Sequence, residues 1–104
     1  MSATIRVTAE KIRKLQVQGA RNAAIAAVKS IQTQAEQTKA KTKIQFLAEL
    51  KEAQVIFSAA RETEPLMRNA IRWIITQAQT ADTEKIEDLK QAVISSASQF
   101  LKDL

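Results

Sequence analysis

The sequence has no cysteine, no histidine, one glycine (Gly19), one proline (Pro65) and four aromatic side chains (Phe46, Phe57, Trp73 and Phe100). Each shortage excludes something. Without cysteine there is no disulfide, no thiolate nucleophile and no sulfur ligand for a metal. Without histidine the commonest metal ligand and the side chain that titrates near neutrality are missing. Sheet proteins of this size need several tight turns, which draw on Gly, Pro, Asn and Asp, and those residues are scarce here. No apolar run approaches the roughly 20 residues that cross a bilayer, and Met1-Ser2-Ala3-Thr4 lacks the apolar stretch of a signal peptide. The expectation is a cytoplasmic protein with no membrane partner.

What is present points to helices. The 104 residues include 18 alanines, and 45% of the chain is hydrophobic. That is enough for one small all-α domain over residues 1–104 with a modest core. The net charge of +5 is unevenly spread, because residues 1–43 carry nearly all the excess of Lys and Arg and residues 44–104 are slightly acidic. A basic half attracts nucleic acid or phosphorylated small molecules. No aromatic side chain lies among these charges, so a stacking platform for single strands is not indicated. Lys39, Lys41 and Lys43 read as a solvated connector.

Apolar spacing predicts a compact bundle of four main helices with a short one in front. Ile5, Ala9, Ile12 and Leu15 mark a first helix over 4–16. After Gly19, the stripe Ala20, Ala23/Ala24, Ala27/Val28, Ile31 and Ala35 marks a second, whose small side chains allow close helix approach. Thr42-Lys43-Ile44-Gln45 fits a capping box and starts a third, with the stripe Leu47, Leu50, Ala53, Phe57 and Ala60. Pro65 suits the first turn of a fourth over 64–79, capped by Thr63 or Glu64. A fifth begins near Asp82 or Thr83, with Glu84, Glu87 and Asp88 near its positive end.

Two turns carry the chemistry worth testing. Gln18-Gly19-Ala20-Arg21 puts the single glycine just before a helix N-terminus and a guanidinium in its first turn. Free N–H groups, positive partial charge and close backbone approach are what a phosphate needs. The plainer alternative is a corner between two helices. Arg61 ends the third helix, and in an up-down bundle its turn falls at the same end as Gly19. The carboxylate groups Glu49/Glu52 and Glu84/Glu87/Asp88 read as solvated faces. No catalytic residue, metal site or cofactor site is assigned. A recognition helix for nucleic acid is not visible, and that partner ranks below phosphate.

Three stretches, Ile12-Arg13-Lys14-Leu15-Gln16-Val17-Gln18-Gly19-Ala20-Arg21, Phe46-Leu47-Ala48-Glu49-Leu50 and Arg61-Glu62-Thr63-Glu64-Pro65-Leu66-Met67-Arg68-Asn69-Ala70-Ile71-Arg72-Trp73-Ile74, together carry a resemblance. The chain resembles the N-terminal helical domain of the translation initiation factor 2B alpha, beta and delta subunit family, which includes ribose-1,5-bisphosphate isomerase and methylthioribose-1-phosphate isomerase. The resemblance implies that Gln18, Gly19, Ala20, Arg21 and Arg61 occupy positions that bind substrate in the sugar-phosphate isomerases. Gln18 stands where the family pattern has Arg, Arg21 where it has Gly, and Glu62 where it has the Pro after Arg61. The family's catalytic Cys and Asp belong to a C-terminal Rossmann-like domain, which this sequence does not contain, so isomerase activity by this chain alone is not expected.

Three roles follow from the resemblance and the charge. The first is a non-catalytic helical module that contacts a Rossmann-like domain or a homologous partner subunit, as part of an oligomer. The second is the substrate-binding part of a sugar-phosphate isomerase, taking a phosphorylated sugar or a nucleotide. The third is a basic helical adaptor for RNA or an acidic protein.

Overall fold

In the computed structural model, which describes residues 3–14, 16, 19–61 and 64–104, the apolar stripes resolve into five helices. They are α1 (Ala3–Arg13), α2 (Ala20–Gln37), α3 (Lys43–Ala60), α4 (Pro65–Thr80) and α5 (Ile86–Asp103). No strand occurs among the described residues. The all-α bundle with a short leading helix is therefore the observed architecture.

Each helix buries one face. Ile5, Ala9 and Ile12 of α1 meet the alanine stripe Ala23, Ala24 and Ala27 of α2, and all but Ala9 of these six are fully buried. Phe46, Leu50, Ala53 and Phe57 from α3, Met67, Ile71 and Ile74 from α4, and Leu89, Val93 and Ala97 from α5 complete one core. Helix α2 packs against α1, α4 and α5, and only edges α3. Its small side chains let three neighbours approach the same helix. The buried hydroxyls of Ser30 and Ser96 donate to the carbonyls of Ala27 at 2.8 Å and Ala92 at 2.7 Å, so they place no unsatisfied donor in the core.

Contacts at both ends fix the directions of the helices. An ion pair of Arg6 with Glu52 at 3.6 Å and a bond from Arg61 to the Ile12 carbonyl at 2.9 Å show α1 and α3 running parallel. Lys43 near the start of α3 reaches Ala81 just past the end of α4 at 2.8 Å, so α3 and α4 are antiparallel. Helix α1 lies antiparallel to α2, with Ala3 and Thr4 beside Gln34 and Gln37. The turn after α1 and the turn after α3 thus share one end of the bundle.

Four details differ from the sequence expectation, and Ala20, expected on the stripe of α2, is exposed. Helix α1 ends at Arg13 rather than residue 16, because the Gln16 N–H donates to the Lys11 carbonyl at 2.9 Å in the six-to-one bond of a helix terminator. Leu15, expected on its stripe, lies outside the described residues. Helix α5 starts at Ile86 rather than at 82 or 83. The Thr83 hydroxyl accepts the Lys85 N–H at 3.1 Å and donates to Asp88 at 2.9 Å, holding a turn before the helix. Helix α3 buries Phe46 beside its expected stripe, while Leu47 and Ala60 are half-buried. Lys43 is no solvated connector residue, since its ammonium closes the end of α4.

The expected Thr42 cap forms, whereas Glu64 makes no side-chain capping bond at the start of α4. The Thr42 hydroxyl accepts the Gln45 N–H at 3.1 Å, and the Gln45 amide oxygen accepts the N–H of Lys41 at 2.9 Å, one residue upstream of the position in a standard capping box. Pro65 occupies the first position of α4 with Glu64 as its N-cap; Thr63 lies outside the described residues.

Candidate functional site

Gly19 precedes α2 with φ 89° and ψ 142°, a left-side conformation that residues with a Cβ rarely adopt. A Cβ built there would meet only the Asn22 Nδ2 atom at 4.0 Å, so the requirement for glycine lies in the backbone and not in crowding. The Gly19 carbonyl accepts the first intrahelical bond, from the Ala23 N–H at 3.0 Å. Glycine has no side chain with which to cap this end, and no acid lies in the first turn. The first-turn N–H groups have no acceptor within the helix, and the macrodipole adds positive partial charge.

Arg21 sits in that same turn, and Gly19, Ala20 and Arg21 are all exposed. A guanidinium at the positive end of a helix is electrostatically unfavourable in isolation, and the arrangement is relieved by an anion. Gln18 lies outside the described residues.

Arg61 is built differently. Its N–H donates to the Phe57 carbonyl at 3.2 Å and ends α3. Its side chain is only 17% exposed and spans three elements. One terminal nitrogen, Nη1, donates to the Glu64 carboxylate at 2.6 Å at the N-cap of α4, and the other, Nη2, donates to the Ile12 carbonyl at 2.9 Å near the end of α1. The structure thus brings Arg61 to the end of the bundle where α2 begins, with its fork already engaged.

Sequence reasoning missed both partners of Arg61. The Glu64 contact had a usable signal, since only two residues separate this opposite-charge pair in sequence. The Ile12 contact had no local signal.

Beside this end, a surface groove of about 370 Å³ runs between α1 and α3, lined by Arg6, Ala9, Glu10, Arg13, Ile56, Ala59 and Ala60. Arg13 is paired with Glu10, and that hydrogen bond is the main reason the Glu10 carboxyl lies below the usual carboxylate range. Among the described residues, no cluster of acids could hold a metal ion, and no helix is long and apolar enough to cross a membrane.

Residues 16–104 match the sequence profile of the Initiation factor 2 subunit family. The chain is 35% identical over 95 residues to ribose 1,5-bisphosphate isomerase of Pyrococcus furiosus, covering 89% of this chain and 29% of that protein. It is 32% identical over 95 residues to the enzyme of the same name from Thermococcus kodakarensis, covering 89% of this chain and 30% of the relative. Among solved structures, 5-methylthioribose 1-phosphate isomerase from Pyrococcus horikoshii superposes with a TM-score of 0.86 at 25% identity, over 95% of this chain and 28% of that one. The chain therefore spans less than a third of the length of the relatives it matches.

Proposed function

Since the chain belongs to the initiation factor 2 subunit family, we propose that it is a non-catalytic helical module that packs against a Rossmann-like domain, or against a homologous subunit, and supplies one wall of a sugar-phosphate site. The observation that carries this reading is the exposed start of α2. There Gly19 holds a glycine-specific backbone, no acid occupies the first turn, and Arg21 adds positive charge to an already positive helix end. Arg61 adds a second guanidinium at the same end of the bundle.

The relatives support the ligand class, being isomerases of ribose 1,5-bisphosphate and 5-methylthioribose 1-phosphate. Catalysis falls to the other domain. The chain has neither Cys nor His, and the site side chains it does offer are cations that bind and orient a phosphate without moving a proton.

The test is a chemical-shift titration of the protein with ribose 1,5-bisphosphate. Perturbations at Gly19, Ala20, Arg21 and Arg61, weakened by Arg21→Ala, are the expected result. A spectrum unchanged at millimolar ligand rejects the phosphate wall.

A further inference from the structure

We propose that Glu64 sets the phosphate affinity of this end by occupying, as an internal anion, the edge of Arg61 that an incoming phosphate needs. The inference rests on the phosphate reading above and adds the residue that tunes it.

The geometry assigns different tasks to the two terminal nitrogens of Arg61. Nη2 is bound to the backbone carbonyl of Ile12 at 2.9 Å, a neutral acceptor fixed by α1. That bond orients the guanidinium plane. Nη1 faces the Glu64 carboxylate at 2.6 Å, a charge-assisted bond to a movable side chain. Carboxylate and phosphate oxygens are both anionic acceptors suited to this Nη1 donor, so they compete for it.

The competition is strong because the pair is sheltered. The Arg61 and Glu64 side chains are only 17% and 12% exposed, so solvent and salt screen their attraction far less than they would a surface pair. A phosphate reaching Nη1 must displace the carboxylate and then tolerate its negative charge nearby. Both effects lower affinity; removing the charge on Glu64 abolishes the repulsion and leaves only a weaker neutral hydrogen bond to displace.

Glu64→Gln tests this. It keeps the size of the side chain and an oxygen that accepts from Nη1, so the turn and the N-cap of α4 retain their packing. Titration with inorganic phosphate and with ribose 1,5-bisphosphate, followed by isothermal calorimetry and by the Arg61 side-chain resonances, should show binding tightened by about tenfold, a modest value for removing one member of a close charge pair. Arg61→Lys, which keeps the charge but loses the fork, should abolish that gain when combined with Glu64→Gln. If Arg61→Lys weakens binding while Glu64→Gln leaves it unchanged, the phosphate site stands and the role of Glu64 is overturned. If neither variant alters binding, the phosphate reading of Arg61 falls with it. Far-UV circular dichroism confirms that each variant is folded.

Discussion

The Lys43 ammonium, 15% exposed, donates to the carbonyl oxygen of Ala81 at 2.8 Å and lies 3.8 Å from Glu84. A cation from the first residue of α3 therefore closes the C-terminal end of α4, where unsatisfied carbonyls gather negative partial charge. Lys43→Met keeps the aliphatic stem but removes the donor and the charge. It should lower stability by about 1–2 kcal/mol, given a charged hydrogen bond near a helix end. In a domain of this size that corresponds to a fall in Tm of roughly 4–16 °C by thermal melting. A Tm unchanged within error would mean that the contact contributes nothing.

At Gly19, the combination of φ 89° and ψ 142° lies outside the left-handed helical well that asparagine tolerates. Gly19→Ala should cost about 1–3 kcal/mol of backbone strain, measured by urea unfolding, although a Cβ there has open space. Gly19→Asn should cost a comparable amount. Recovery of full stability by asparagine would show that the turn had relaxed into the ordinary left-handed region.

The alanine face of α2 makes a sharper claim about packing. Ala27 is fully buried where α2 meets its neighbours. Ala27→Leu should destabilise by about 1–3 kcal/mol through overpacking, whereas the same change at exposed Ala48 should be close to neutral. Denaturant midpoints of the two variants, compared side by side, decide it.

Acid should act late at the end of α1, below the pH at which an ordinary glutamate takes up its proton. Glu10 titrates below its ordinary range chiefly because Arg13 donates a hydrogen bond to its carboxylate. A carboxyl with a depressed folded value stabilises the native state above its unfolded value, and that contribution is lost as pH falls through the folded one. Both side chains are about half exposed, so the effect is small and weakened by salt. The Glu10 side-chain resonance followed through acid titration should show a midpoint below the usual glutamate range, returning toward it in Arg13→Ala.

Local chemistry was legible in the sequence and distant chemistry was not. Thr42 and Pro65 announced the starts of α3 and α4 because a capping hydroxyl and a missing N–H act within one turn. Thr83 misled because the same hydroxyl that can cap a helix can also hold the turn before one, and here it does the latter. Lys43 looked solvated because its acceptor lies 38 residues away. The candidate site divides the same way. Gly19 stood out as the single glycine, whereas the engagement of Arg61 depends on a carbonyl 49 residues upstream.

That last contact bears on the order in which the chain acquires structure. Helix α1 has only 11 residues, too few to persist in water without docking. Its last turn is held by a guanidinium 49 residues further along the chain. Helix α2 offers α1 a packing face, but the contact that pins the last turn of α1 requires α3 to be in place. The last turn of α1 is thus set by a pairing distant in sequence, the kind of contact whose loop-closure cost slows folding.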